Sequence, residues 1–479
     1  MINILLIFPL IACLILVLTK TKILNILFLN LYAIIHIIIS FCYFFKNDLV
    51  EKMTPMPYFE VDALNIIFLC VLSIVFMASA IYNNGYIKNK NYNNIELRKY
   101  VSTIILFVFS MTGAILSADL AVAWIFVEAT TLASGYLIYF QKTKHSMEAA
   151  WKYIFMCSIG IALAFVGIIL VSIAIGQIGS LKYTDLYANY GIINHFWLKI
   201  AFIFILFGFG TKMGLAPVHF WLPDAHAQAP SAISALLSAS LLNCAFLIIL
   251  RIYKLMIIMG IANYAKFILL MMGLLSIFIA TVFLYKSKNY KRMLAYSSIE
   301  NMGIMSIASA IGGVGMYACI LHLIGHSLIK ASFFLTSGNI LTLFKNKEVK
   351  AAYGIHKVDS KTAWLFIISC VGIIAIPPSL IFLSEFMIIK EMLIQKQFLL
   401  CAIFALLLTI ILFGISKTVF KMAFSEGKEE NIETAINNTN KLHVSMYVPQ
   451  VLLLTLVFYL GMYIPKILDD WIKHSIMGF

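Results

Sequence analysis

The stretch FGFGTKMGLAPVHFWLPDAHAQAPSAISALLS, Phe207 to Ser238, decides how this chain is built. It reads as an apolar helix that carries Lys212 at about membrane depth, breaks at Gly214 and Pro217, resumes as HFWLPDAH and turns at Pro230. An ammonium in the bilayer core costs ~2.5 to 3.5 kcal/mol even on lenient insertion scales, so it is seldom kept there without a task. Non-helical backbone at that depth is tolerated where protein or an aqueous cavity satisfies the freed carbonyls, which is how broken helices come to line ion sites. Lys212 is therefore expected at the turning point of an ion path.

Composition sets the class around this stretch. Of 479 residues, 62% are hydrophobic and 12% charged, with mean hydropathy +0.97. A span needs roughly 20 apolar residues, and here apolar runs follow one another with short polar loops between them, so a soluble multidomain chain is excluded. The first run begins at Met1 without a basic stretch before it, and a retained first span with no cleaved signal peptide is expected. The net charge of +14 is spread along the loops, which offers no dense basic patch for nucleic acid. Eight cysteines, at 13, 42, 70, 157, 244, 319, 370 and 401, lie within apolar runs and form no CxxC pair. Iron–sulfur and nickel–iron centres need such clusters, so no cofactor and no metal is expected in this chain.

The apolar runs predict an all-α polytopic membrane protein of about fourteen spans. Their approximate limits are Ile2 to Thr19, Ile23 to Phe45, Val61 to Asn83, Tyr100 to Ser117, Leu120 to Phe140, Ala149 to Ile175 and Trp197 to His226. The rest are Ser231 to Tyr253, Ala262 to Tyr285, Met293 to Ile311, Met316 to Phe344, Thr362 to Lys396, Phe398 to Lys421 and Met446 to Pro465. With both termini outside, inner loops collect 21 Lys and Arg, beginning with Lys20 and Lys22, against 11 outside, leaving Lys152, Lys212 and Lys330 in the membrane. That asymmetry is the positive-inside pattern and favours an even count. The seventh span is broken at Gly214 and Pro217 and the twelfth at Pro377 and Pro378, five spans apart, each with an ionisable residue nearby. Paired interruptions predict two inverted five-helix repeats. The chain divides accordingly into three N-terminal helices (1–99), a first repeat (100–253), a second repeat (254–421) and a polar loop with a C-terminal helix (422–479).

Ionisable residues inside spans are functional candidates. Glu128 lies mid-span beside Thr130, Thr131 and Ser134; the bland reading is an acid kept neutral by burial, the sharper one a partner for Lys212. Opposite charges ~6 Å apart at an effective dielectric of ~20 attract by ~2.8 kcal/mol, about two pKa units. Changing that distance would switch the lysine between holding and releasing its proton. His322, His326 and Lys330 follow at four-residue steps on one helix stripe, climbing ~12 Å, which reads as a proton relay. A zinc site competes less well, because HLIGH lacks the glutamate of HExxH. Glu385 closes the series, where it would exchange a proton with Lys330 or the outside. Glu300 is expected near Lys291 and Arg292, either in a surface ion pair or on the path. Lys152, one turn into its span, either snorkels or admits protons. His219, Asp224 and His226 are expected mainly to satisfy loose backbone, with His226 a lesser candidate for the inner entrance.

The motifs FVEATTLASG, AAWKY, TKMGLAPVHFWLPDAHAQAPSAISALLS, KRMLAYSSIENMG, HLIGHSLIKASFFLTSG and FLSEF together resemble the antiporter-like membrane subunits shared by respiratory complex I, multisubunit cation/proton antiporters and membrane-bound nickel–iron hydrogenases. The resemblance runs from about Leu120 to Phe386. It implies fourteen helices with two inverted repeats, Glu128 and Lys212 as the pumping pair, His322, His326 and Lys330 as the relay, and Glu385 at the twelfth-span position. One departure stands out. Relatives in complex I usually carry an ionisable residue on the eighth span, where Ser231 to Leu250 has only Asn243. Either waters bridge Lys212 to His326 past Asn243, or the link between the halves is weaker.

That feature, with the VEATTLAS and AYSSIENMG wording, looks most like the component F branch of hydrogenase-4 and formate hydrogenlyase-like complexes. The chain also ends soon after its fourteenth span, without the long lateral helix of the largest relatives. The expectation is a proton-translocating, non-redox subunit in a prokaryotic inner membrane, with both termini outside. Its partners would be other membrane and peripheral subunits of the complex and the lipid bilayer, and not nucleic acid. The alternatives are an antiporter-like subunit of NADH–quinone oxidoreductase and a Na+/H+ antiporter subunit.

Overall fold

A computed structural model describes residues 1–18, 21–45, 57–90, 92–176 and 179–479. Thr19 and Lys20, at the end of the first expected span and in the first expected inner loop, lie outside the described residues. The described chain is helical, joined by short turns and three isolated backbone bridges. Its main helices are α1 Ile2–Leu18, α2 Lys22–Phe45, α3 Ala63–Lys88, α4 Asn94–Leu116, α5 Leu120–Tyr139, α6 Lys144–Ile175, α7 His195–Met213 and α8 Trp221–Gln228. There follow α9 Ser231–Ile258, α10 Ala262–Lys286, α11 Tyr290–Ile311, α12 Val314–Phe344, α13 Ser360–Ile373 and α14 Leu380–Ile394. The last are α15 Phe398–Phe424, α16 Glu429–Asn437, α17 Val448–Met462 and α18 Lys466–Ser475.

Short loops work here because polar caps end the apolar runs abruptly. Asp62, Asp119, Asn194, Asn289 and Ser379 each accept a hydrogen bond from the first turn of the helix they precede, and Thr143 with Ser146 forms a capping box. Each such cap contributes typically ~1 kcal/mol. Eleven described helices are long and apolar enough to cross a membrane. Three of the fourteen expected spans fall short of that measure for separate reasons. Helix α1 has 17 residues, α11 has its apolar run diluted by Glu300, Asn301 and several serines, and the Thr362 to Lys396 run is divided into α13 and α14.

Both predicted breaks are present. Helix α7 stops at Gly214, whose φ of 80° is left-handed, a conformation that glycine adopts without the Cβ clash. The amide of Leu215 then donates to the Gly210 carbonyl, and that of Ala216 to Ser276 Oγ at 2.8 Å. Protein groups therefore satisfy the unwound backbone, as membrane depth demands. HFWLPDAH is not the loose segment expected from Pro223. It is helical from Trp221, and Trp221 Nε1 donates to the Thr211 carbonyl at 2.7 Å, tying α8 to the end of α7. Proline is tolerated in a first helical turn, where its missing N–H has no intrahelical partner to lose.

Helices α9 and α12 are buried along their whole apolar length and form the centre of the bundle. Helix α12 packs against α3, α9, α11, α13, α14 and α17. A π turn at Leu237–Leu241 interrupts α9. At its far end Arg251 is pinned: Nη1 lies 2.5 Å from Asp62 Oδ2, Nη2 donates to Asn65 Oδ1 at 2.6 Å, and the Tyr183 ring lies 5.4 Å away. Burial would raise the Asp62 carboxyl, but the guanidinium outweighs it and holds that group below the usual range. Arg251→Met removes one charge and leaves the other in a mostly enclosed site, and should cost about 2 kcal/mol after allowance for the partial exposure of Asp62. The unfolding midpoint of the detergent-solubilised chain measures this, and an unchanged midpoint counts against the clamp.

Candidate functional site

Lys212 lies in the last turn of α7 and is fully buried. Its Nζ donates to the Tyr153 hydroxyl on α6 at 2.7 Å, with the Tyr153 ring centroid 4.8 Å from the ammonium. Tyr153 in turn meets Ser134 Oγ on α5 at 2.5 Å, and Ser134 donates to the Thr130 carbonyl at 2.5 Å. An ammonium has donors and no acceptor. The phenol must therefore receive from Lys212 and give to Ser134, which fixes the direction of the whole chain.

Glu128 and Lys212 are not in direct contact, and the expectation of a pair about 6 Å apart does not require it. Glu128 is half-buried, accepts from Thr131 Oγ1 at 3.1 Å, and forms no ion pair among the described residues, although its charge reaches Lys212. The cause is helical phase. Glu128 shares a stripe of α5 with Ile125 and Leu132, which are 55% and 67% exposed, whereas Val127, Thr131 and Ser134 turn inward.

The second cluster is built on α12. His322, His326 and Lys330 are all fully buried. His322 Nε2 lies 3.0 Å from Asn301 Oδ1 and its Nδ1 lies 3.0 Å from Ser384 Oγ. Since Asn301 Nδ2 donates to the Ser297 carbonyl at 2.6 Å, Oδ1 is the acceptor and His322 carries its proton on Nε2. Lys330 Nζ donates to the Leu294 carbonyl at 2.8 Å and lies within electrostatic reach of Glu300. His326 has no hydrogen-bond partner on either ring nitrogen among the described residues.

Of the two placements expected for Glu300, the surface ion pair is not the one found. Glu300 is buried, about 13 Å up α11 from Lys291 by helical rise, and pairs with neither nearby cation. Instead it lines a cavity of about 270 Å³ between α11, α13, α14 and α15, and Glu385 lines the same cavity. Glu300 Oε2 has no hydrogen-bond partner among the described residues.

Between the clusters stands Asn243 on α9. Its Nδ2 donates to the Ala239 carbonyl and to Ser327 Oγ on α12, both at 2.8 Å, while Oδ1 is unpartnered among the described residues. Ser327 adjoins His326 in sequence, so the one polar side chain of this kind on the eighth expected span touches the relay helix. Just before it, Ser238 Oγ meets Ser298 Oγ at 2.8 Å in the π turn, and such turns recur at functional sites.

The remaining candidates gather at the lysine-rich end. Asp224 bridges Lys152, at 3.2 Å, and Arg292. Lys152 is half-exposed and also pairs with Glu148 at 2.5 Å. Exposed pairs of this kind contribute ~0 to 1 kcal/mol each. The cluster ties α6, α8 and α11 together. Lys291 Nζ donates to the Ala229 carbonyl at 2.7 Å, and Lys347 Nζ to Gln228 Oε1 at 2.9 Å. Burial pushes the Lys347 ammonium down to about 8. His226 is fully buried, stacked on Phe334 at 4.8 Å, with both nitrogens unpartnered among the described residues. His219 is buried and stacks on Phe220.

Tyr153, Asn301, Ser327 and Ser384 were not singled out from the sequence, and Ser134 was read there only as a neighbour of Glu128. Each sits inside a quoted motif beside a titratable residue: AAWKY, FVEATTLASG, SSIENMG, HLIGHSLIK and FLSEF. A search for hydroxyls and amides flanking intramembrane charges would have found them.

Residues 117–411 match the family described as NADH:quinone oxidoreductase/Mrp antiporter, TM. The chain is 33% identical over 436 residues to the Hydrogenase-4 component F homolog of Methylacidiphilum infernorum, covering 89% of this chain and 90% of the relative. In fold it is similar to a chain of the archaeal membrane-bound sulfane sulfur reductase, with TM-score 0.87, 21% identity, and 99% of this chain and 97% of that one covered. It is also similar to a chain of the Mrp complex from Dietzia sp. DQ12-45-1b, with TM-score 0.84, 18% identity, and 99% and 95% covered. The chain therefore belongs to the NADH:quinone oxidoreductase/Mrp antiporter transmembrane family, as an antiporter-like membrane subunit of the kind found in hydrogenase, complex I-like and Mrp complexes.

Proposed function

We propose that this chain is a proton-translocating, non-redox subunit of a hydrogenase-4 or formate hydrogenlyase-type complex in a prokaryotic inner membrane. Fourteen helices, with both termini outside, would arrange as two inverted five-helix halves, 100–253 and 254–421. The three helices of 1–99 precede them, and a polar loop and closing helix at 422–479 follow. Redox cofactors would belong to partner subunits, which bind at its lateral and inner faces.

One observation supports the reading: several proton-bearing groups lie buried in the bundle with polar side chains beside them. Lys212 donates to Tyr153, Asn243 touches Ser327 beside His326, His322 contacts Ser384 beside Glu385, and Lys330 lies within electrostatic reach of Glu300, which shares a cavity with Glu385; the proposed path joins these groups through water. Polar atoms buried without a partner cost ~1 to 3 kcal/mol each, so Asn243 Oδ1 and the His326 nitrogens favour water at those positions. Electron transfer in a partner subunit would shift Glu128 relative to Lys212. As the carboxylate withdraws, the ammonium loses its nearest anionic support and releases its proton toward Asn243. The outward half then passes it through His326, His322 and Lys330 to Glu300 and Glu385.

Asn243 is the narrowest link and the place to test the series. In proteoliposomes holding the intact complex, Asn243→Leu should lower the proton-to-electron ratio, and Asn243→Lys should restore it. Acidification should persist without sodium. A normal ratio in the leucine variant would sink the series, and a sodium requirement would favour cation exchange.

A further inference from the structure

At the lysine-rich end, a half-open cavity of about 260 Å³ lies among the ends of α3, α5 and α12, the start of α9 and the loop after α16. Lys90, Lys345 and Lys441 line it, with Asn89, Gln141 and Ser231, and no described residue lining it is acidic. None of the three lysines is in an ion pair among the described residues. Lys441 Nζ donates to Asn438 Oδ1 at 2.7 Å, a neutral acceptor that leaves its charge in place.

The deepest polar group is Ser231. It is 3% exposed, and its Oγ has no hydrogen-bond partner among the described residues. A buried hydroxyl in that condition lacks a bond that a ligand or water would supply. Helix α9 also begins there without a capping side chain, so the partial positive charge of its first turn faces the same space. Three uncompensated ammonium groups, a hydroxyl at the base and the Gln141 amide at the rim suit a compact oxyanion that accepts several hydrogen bonds at once, while the Asn89 amide already donates to the Lys441 carbonyl.

We infer that this cavity binds a phosphate group, carried either by the head group of an anionic phospholipid or by a free phosphate or pyrophosphate. Basic pockets between helices at the surface of a bilayer take phospholipid head groups, and the same donors serve a soluble phosphate. The site is separate from the Lys212 to Glu385 series and stands or falls without it.

The test uses the full chain. Pyrophosphate is titrated into the detergent-solubilised protein while its thermal midpoint is followed. Phosphatidylglycerol retained from phosphatidylcholine–phosphatidylglycerol vesicles is counted by native mass spectrometry. Each lysine near a charged surface contributes about fivefold in affinity. The triple variant Lys90→Gln, Lys345→Gln, Lys441→Gln should therefore bind on the order of a hundredfold more weakly. These side chains are exposed, so its midpoint without ligand should match the unaltered chain. Ser231→Ala should weaken binding severalfold. Saturable pyrophosphate binding lost in the triple variant assigns the site to free phosphate, and phosphatidylglycerol retention lost in that variant assigns it to lipid. Absence of both, or binding equal in the two proteins, overturns the inference.

Discussion

Lys212→Ala should abolish this chain's share of proton transport while leaving the redox centres of its partner subunits intact. Removal of a proton-transferring group costs on the order of a hundredfold or more, and here the amine is also the donor that sets the direction of the Tyr153–Ser134 chain. The measurement is acidification of proteoliposomes at matched electron flux. Lys212→Arg separates two explanations. Arginine keeps the positive charge but does not give up its proton at working pH, so it should fail as alanine does. Full pumping in the arginine variant would mean that fixed charge alone suffices and would end the case for proton release at this position.

Lys330→Met should stop transport through the second half and destabilise the protein. The ammonium is the cation within reach of Glu300, whose Oε2 is buried without a hydrogen-bond partner among the described residues. Without it Glu300 loses the one cation within its electrostatic reach and is left with a buried, unpartnered oxygen. Glu300→Gln should therefore rescue part of the lost stability in the double variant. The coupling in a double-mutant cycle should fall at about 1 to 3 kcal/mol, read from denaturant unfolding. Pumping should stay absent in the double variant, because glutamine cannot carry the proton onward. Additive destabilisation would show that the two side chains do not sense one another.

Much of the layout was legible because burial of charge is costly enough to be conspicuous in an apolar sequence. Lys212, Lys330 and the two histidines are recognisable from their neighbours alone, and Gly214, Pro217, Pro377 and Pro378 mark both interruptions. What escaped was rotation. Helical spacing shows that Val127 and Glu128 point about 100° apart, but which of them faces α6 depends on how α5 packs against α4 and α6. The same limit applies to Glu300. Its distance from Lys291 and Arg292 along the helix was visible, while its turn toward Glu385 depends on where α14 settles. Asp224 shows a third limit, because its partners lie 72 and 68 residues away on separate helices. Tyr153 was missed because a phenol among apolar residues ordinarily passes as packing.

The π turn of α9 has a geometric sequel. One surplus residue within an otherwise regular helix offsets everything before it by roughly 100° relative to everything after it. Ser231 can thus point to the lysine-rich mouth while Asn243 points to the middle of the bundle, although both belong to one rod. Excising a single position from Leu237–Leu241 would leave the rod straight and fully bonded, yet swing Ser238 off Ser298 and turn the entire near end toward different neighbours. The aim of the two ends is set by phase, and phase here is held by one residue.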